Sequence, residues 1–175
     1  MLFRSYRRLP STLGWDSHNY LALAVDRAGQ LHVSGNMHVA PLVYFRTTKP
    51  GDLSTLAEAP MTGEREQKVT YPVFLRDRLG RLIFRYRDGR SGSGDDLYNV
   101  LDEATGRWAR LLPTPLTDGQ GRMNAYCTTP QLGPDGLFHL CWVWRDTPDC
   151  ATNHDLSYAQ PPDLVHWFEI GRAHV

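Results

Sequence analysis

His18 to Arg46 reads HNYLALAVDRAGQLHVSGNMHVAPLVYFR. Tyr20 to Val25 is an apolar run, Asp26 to Gly29 a turn, Leu31 to Val33 the start of a second strand, and Pro41 to Phe45 a third. Runs of β-branched and aromatic residues bounded by Gly, Asp and Asn are the normal strand signal. Two histidines bracket the first hairpin, His18 before strand one and His38 after strand two. Antiparallel strands joined by a tight turn bring such ends side by side, so residues twenty apart in sequence become neighbours.

Working outward, the unit repeats. Asp26-Arg-Ala-Gly29-Gln-Leu31-His-Val33 is echoed by Asp77-Arg-Leu-Gly80-Arg-Leu82-Ile-Phe84 and by Gly133-Pro-Asp-Gly136-Leu-Phe138-His-Leu140. The glycines at 29, 80 and 136 give intervals of 51 (29 to 80) and 56 (80 to 136). Each copy has a strand before the turn, a strand after it and a third beyond, at Pro41–Phe45, Leu97–Val100 and Leu156–Ala159; the later two add a Trp-containing strand at Trp108 and Trp167. Four strands per unit at a period near 50 is a β-propeller signature. No helix is expected beyond a single turn within Leu53–Ala59.

The fold class is therefore all-β, a propeller fragment of about three four-stranded antiparallel blades. Residues 1–14 are an irregular lead-in or the end of a preceding blade. The partial propeller occupies 15–169, with blades at about 15–62, 63–118 and 119–169 and a linker by composition at Pro113–Gly121. Three blades cannot close a ring of four to eight, so the chain reads as a piece of a longer one. Ile170–Val175, IGRAHV, reads as one frame of a common sequencing adapter and is set aside as a non-native tail; the alternative is a natural terminus.

The 19 basic and 19 acidic residues balance to a net charge of zero, which gives no support for a nucleic-acid partner or a polybasic membrane surface. No apolar run approaches the ~20 residues of a membrane helix. MLFRSYRRLP at the start has the charges of a signal peptide but no apolar stretch after them. Cys127, Cys141 and Cys150 are odd in number and lack CxxC spacing, so no disulfide framework is implied.

His18, Tyr71 and Tyr126 each stand at the start of a first strand, and His38 and Arg87 at the end of a second. Those positions share one face of a propeller, so the five side chains should converge at one mouth of the channel. The set suits an anionic sugar. Guanidinium matches carboxylate bidentately, and removing a proton α to that carboxylate requires its charge to be neutralised. A neutral His can act as general base and a Tyr hydroxyl can protonate a leaving glycosidic oxygen. This is β-elimination, which needs no redox cofactor. The plainer readings are a surface or packing role for any one His or Tyr, and an ordinary ion pair of Arg87 with Asp88 or Asp95. His32 and His139 occupy equivalent repeat positions and read as structural.

The His18–Arg46 stretch, YPVFLRDRLGRLIFRYRDGRSGSG from Tyr71, and NAYCTTPQLGPDGLFHLCWVWRD from Asn124 together resemble the BNR-repeat family. That family contains propeller-type ulvan lyases and related rhamnosidases acting on rhamnose linked to glucuronic acid. The resemblance covers about Asp16 to Trp167. It implies a seven-bladed propeller that degrades polysaccharide by elimination next to a uronate. His18 then matches the base-type histidine, Tyr71 the catalytic tyrosine, His38 and Arg87 the carboxylate-neutralising pair, and Tyr126 a further channel tyrosine. It also implies a structural zinc with Cys141, Cys150 and His154 as remnant ligands and Ser91 where a fourth would stand; ordinary buried cysteines are the alternative. The family's proteins are about twice this long, Asp163–Trp167 is only a loose Asp box, and no sialidase-type arginine triad is present. The expected function is lyase action on a uronic-acid-containing polysaccharide, with an acidic glycan as partner and export from a bacterial cell. The alternatives are a rhamnose–glucuronate hydrolase on the same scaffold and a non-catalytic carbohydrate-binding propeller.

Overall fold

The three repeated turns make the same hydrogen bonds. The amide of Gly29 donates to the carbonyl of Asp26, Gly80 to Asp77 and Gly136 to Gly133, at 3.1, 2.9 and 3.0 Å. All three glycines have φ between 71° and 79°, a left-handed conformation that a side chain would strain. The aspartates at the head of the first two turns accept the next strand's leading amide, Gln30 and Arg81, each at 2.8 Å. Turn chemistry of this kind sets the hairpin register.

The computed structural model describes residues 6–12, 14–167 and 169–173. Its first sheet contains β1 (Leu21–Val25), β2 (Leu31–Gly35), β4 (Tyr44–Arg46) and β5 (Ala57–Glu58), in that order. The second runs β3 (His38–Ala40), β6 (Val69–Arg76), β7 (Leu82–Asp88), β8 (Asp95–Asp102) and β9 (Arg107–Arg110). The third runs β10 (Asn124–Cys127), β12 (Phe138–Arg145), β13 (Asn153–Ala159) and β14 (Glu169–Ala173), with β11 (Gln131–Leu132) on β12. These are three antiparallel blades of a propeller. Leu53–Thr55 and Cys150–Thr152 form single 3-10 turns. Among the described residues no helix is long and apolar enough to cross a membrane.

Three details depart from expectation. The second strand ends at Gly35, because Asn36 takes φ 63°, and His38 belongs to a separate short strand that pairs with Thr70 of the next blade. The third strand of blade one begins at Tyr44 rather than Pro41, since Pro41 has no N–H to donate to a ladder. Trp167 precedes its strand, and its indole donates to the carbonyl of Leu164 at 2.8 Å. Of the stretch set aside as a tail, residues up to Ala173 pair with β13, and 174–175 lie outside the described residues.

Apolar faces weld the blades together. Tyr44, Phe84, Tyr86, Val69 and Trp108 form one buried cluster between blades one and two; Ile83, Tyr98, Phe138 and Leu164 form another between blades two and three. Burying each large side chain contributes about 1.5–3 kcal/mol. His32 is fully buried, bonded through Nδ1 to the Tyr44 hydroxyl at 2.7 Å and through Nε2 to Asp26 at 3.2 Å. Burial pushes its pKa down, against the pull of Asp26. His139 repeats the pattern with Tyr158 and Asp135 at 2.6 and 3.1 Å. Both are braces between turn and strand.

Candidate functional site

The site begins at Asp16. Its Oδ1 lies 2.6 Å from Nδ1 of His18, and its Oδ2 lies 2.5 Å from Nδ1 of His38. The His18 backbone amide also donates to Asp16, at 2.9 Å. These contacts, the backbone one foremost and then the two rings, hold the Asp16 carboxyl far below the usual carboxylate range. The two imidazoles stack at 4.1 Å between centroids. Asp16 remains an anion and accepts from both Nδ1 atoms, so we assign the tautomer that leaves each Nε2 free.

Tyr71 stands beside this pair, 5.5 Å from the His18 ring. The ladder between β6 and β7 shifts register between Thr70 and Val73, and Tyr71 within that bulge has φ 59°. A non-glycine residue held there costs about 1–3 kcal/mol, and such strain gathers at functional sites. Pro72 has no amide to lose from the ladder, so the bulge forms where pairing is cheapest to give up. Burial pushes the Tyr71 phenol above its ordinary value, opposed by Arg87 and Arg145. The phenol therefore keeps its proton at neutral pH.

Arg87 completes the group, its guanidinium carbon 4.9 Å from the Tyr71 ring centre and 5.9 Å from that of Tyr126. It is only 3% exposed. The neighbouring acids are engaged elsewhere: Arg65 takes Asp88 at 2.8 Å and Asp95 at 2.6 Å, while Arg85 takes Asp96 at 2.6 Å. The ordinary-ion-pair reading of Arg87 fails on those contacts. Its bonds are long ones, to Thr70 Oγ1 at 3.4 Å and the Tyr126 hydroxyl at 3.5 Å, and Nε is buried with no partner. A buried guanidinium without a counter-ion is poised to receive an anion.

The structure thus brings together His18, His38, Tyr71, Arg87 and Tyr126, from both sides of the seam between blades one and two and from blade three. Tyr126 is anchored by Ser91, hydroxyl to hydroxyl at 2.7 Å. Gly92, on the same loop, packs so closely that a Cβ would meet the Asp146 carbonyl at 2.7 Å; its φ of 83° is a second reason for glycine. Two residues were missed. Asp16 was signalled by Asp16-Ser-His18, a carboxylate two residues from a candidate base. Arg145 ends β12, as Arg87 stands next to the end of β7, and its guanidinium carbon lies 3.8 Å from the Tyr126 ring centre.

The expected zinc ligands are not gathered. Cys141 pairs with Tyr158 and His154 with Trp144, which separates them by four residues of β13, about 13 Å of strand. Cys150 is exposed on its 3-10 turn, and His154 is engaged by Asp146 and Asp155. Ser91, placed as the fourth ligand, holds Tyr126 instead. Among the described residues, Asp16, His18 and His38 are the group whose possible ligand atoms all lie within 4.8 Å of one another. Two imidazoles and a carboxylate are a donor set that suits zinc.

The fold is a propeller, and imidazole, phenol and guanidinium gather at the seam between its first two blades. Residues 3–174 match the family described as BNR repeat-containing family member, and the chain belongs to that family. No curated protein matches the sequence. Among solved structures the chain resembles the polysaccharide lyase Uly1, at 18% identity and a TM-score of 0.66 over 83% of this chain and 41% of that one. It resembles an ulvan lyase at 13% identity and 0.64, over 87% of this chain and 40% of that one. An endo-arabinase from Bacteroides thetaiotaomicron follows at 13% and 0.54, over 89% and 56%. The chain spans about two fifths of the length of the two lyases, and the likeness at these identities is one of fold.

Proposed function

We propose that the protein is a polysaccharide lyase that cleaves a uronic-acid-containing glycan by β-elimination. The observation that carries this reading is Arg87, buried and without a counter-ion beside Tyr71, which in turn stands against the His18–His38 pair. Arg87 would take the uronate carboxylate and neutralise it as the adjacent C–H loses its proton, joined by His38 in the form that carries a proton on both ring nitrogens. His18, oriented by Asp16 through Nδ1, offers Nε2 as the base. Tyr71, kept protonated by its surroundings, gives its proton to the departing glycosidic oxygen. Each role follows from what the transition state needs: charge relief at the carboxylate, a base at the α-carbon and an acid at the leaving oxygen.

Hydrolysis commonly uses two carboxylates flanking the bond. The carboxylate of this cluster, Asp16, is tied to both imidazoles, which favours elimination. An ulvan lyase structure of the same fold is described as bound to -[GlcA(1-4)Rha3S]-, a glucuronate-containing ligand of the kind proposed here. Incubating the full-length protein with ulvan and following ultraviolet absorbance tests the reading. Elimination leaves an unsaturated, absorbing uronate. Free rhamnose without new absorbance would instead mark a hydrolase, and neither product a binding propeller.

A further inference from the structure

Thr70 has no part in the proposed chemistry, and it is fully buried, so no substrate reaches it. In the sheet it nevertheless stands between two of the reacting groups, paired with His38 on one side and Arg87 on the other, and Tyr71 follows it in the chain. Its hydroxyl oxygen accepts the Val39 amide at 2.8 Å and Arg87 Nη2 at 3.4 Å. Those two donors occupy both lone pairs of the one oxygen.

Each bond falls where the backbone ladder or the side chain is otherwise weakly held. The strand carrying His38 is three residues long and lies at the edge of its sheet, with two residue pairs and a register shift between them. Val39, inside that shift, has φ 53°, a conformation that a β-branched residue adopts only under constraint. The Thr70 hydroxyl supplies that constraint one residue from His38. Arg87 has an unpartnered Nε and a long bond to the Tyr126 hydroxyl, so the Thr70 contact is what ties its guanidinium to the sheet. A threonine also suits the task, because its β-branch stiffens χ1 and keeps the hydroxyl aimed.

We infer that Thr70 is a positioning residue, which through one oxygen fixes the separation of His38 and Arg87, the two groups assigned to the uronate carboxylate. This rests on the lyase reading and adds to it a residue that touches no substrate. A carboxylate is gripped well only when its donors keep their spacing, so a small shift of either group is felt in both binding and turnover.

Two variants of the full-length protein separate the hydroxyl from the methyl. Thr70→Val keeps the shape and removes the hydroxyl, whereas Thr70→Ser does the reverse. Assayed on ulvan, Thr70→Val should lose about ten- to a hundredfold in kcat/KM, the scale of an ångström misplacement. Part of that loss should be a raised KM, which a smaller folded fraction does not produce. Thr70→Ser should stay within a few-fold of the wild type. A residue that merely packs would give the opposite order. Thr70→Val at wild-type activity, or Thr70→Ser as impaired as Thr70→Val, would overturn the inference. If the wild type itself eliminates nothing, the lyase reading fails alone, and NMR of the free protein decides. There the His38 imidazole and Arg87 guanidinium signals should move in Thr70→Val and hold in Thr70→Ser, with His139 of blade three unmoved in both. Unmoved His38 and Arg87 signals in Thr70→Val would refute the positioning role.

Discussion

Replacing Arg87 by methionine should make the protein more stable and inactive at once. The side chain is 3% exposed, its Nε has no partner, and its remaining bonds are 3.4 and 3.5 Å long. Removing an ion from water costs several kcal/mol. Stacking on Tyr71 and Tyr126, at 4.9 and 5.9 Å, returns about 1–2 kcal/mol each at most. The free protein therefore carries a deficit on the order of 1–3 kcal/mol at this position. Methionine is of similar length, fills the slot and removes the charge. For a folded unit of this size each kcal/mol moves Tm by about 2–4 °C, so a rise of roughly 2–10 °C is expected. Without the guanidinium the carboxylate cannot be neutralised, and kcat/KM should fall by at least about a hundredfold. Scanning calorimetry beside the absorbance assay reads both quantities on one sample. A clear fall in Tm would show that the free site already satisfies its arginine, and the reasoning would be refuted.

Further predictions follow from the same geometry. His18→Ala and Tyr71→Phe should each abolish detectable elimination while glycan binding by calorimetry stays within a few-fold; near-normal turnover in His18→Ala would remove it as base. Asp16→Asn should lower kcat by about ten- to a hundredfold with little change in KM, as for other residues that orient a reacting imidazole, and should shift the pH–rate profile. The sign follows from the depressed Asp16 carboxyl: its bonds to both rings stabilise the fold above the unfolded value of 3.8 and are lost only as pH falls through the lower folded value. The Asp16 carboxyl, followed by its side-chain carbon NMR shift, should thus remain ionised at about pH 3, where an ordinary aspartate is mostly protonated. Asp96→Asn breaks the buried pair with Arg85 and should cost about 3–5 kcal/mol, a drop in Tm on the order of 10 °C.

Hairpins and turns were legible because local chemistry determines them. An aspartate and a glycine at fixed offsets close each turn whatever packs outside, and Asp26–Gly29 and Asp77–Gly80 do so alike. The proximity of His18 and His38 followed from the same hairpin. What was not legible depends on contacts between blades. His38 leaves blade one's ladder for Thr70 because Asn36 turns the chain, a choice that pays only when blade two is present. The zinc set came from the family resemblance rather than from local chemistry, and the pairing of β12 with β13 carries Cys141 and His154 apart. Asp16 and Arg145 were overlooked for different reasons: one precedes the first strand, where no repeat points to it, and the other lies near the end of a second strand, as Arg87 does, but in the third blade.

The strand carrying His38 has a mechanical consequence. His18 is fixed to the first blade and His38 is hydrogen-bonded into the second, yet one carboxylate clasps both rings. Any slippage along that boundary would part the clasp while leaving every sheet whole. Heat or denaturant should therefore silence the protein well before its spectroscopic signature of β-structure begins to fade.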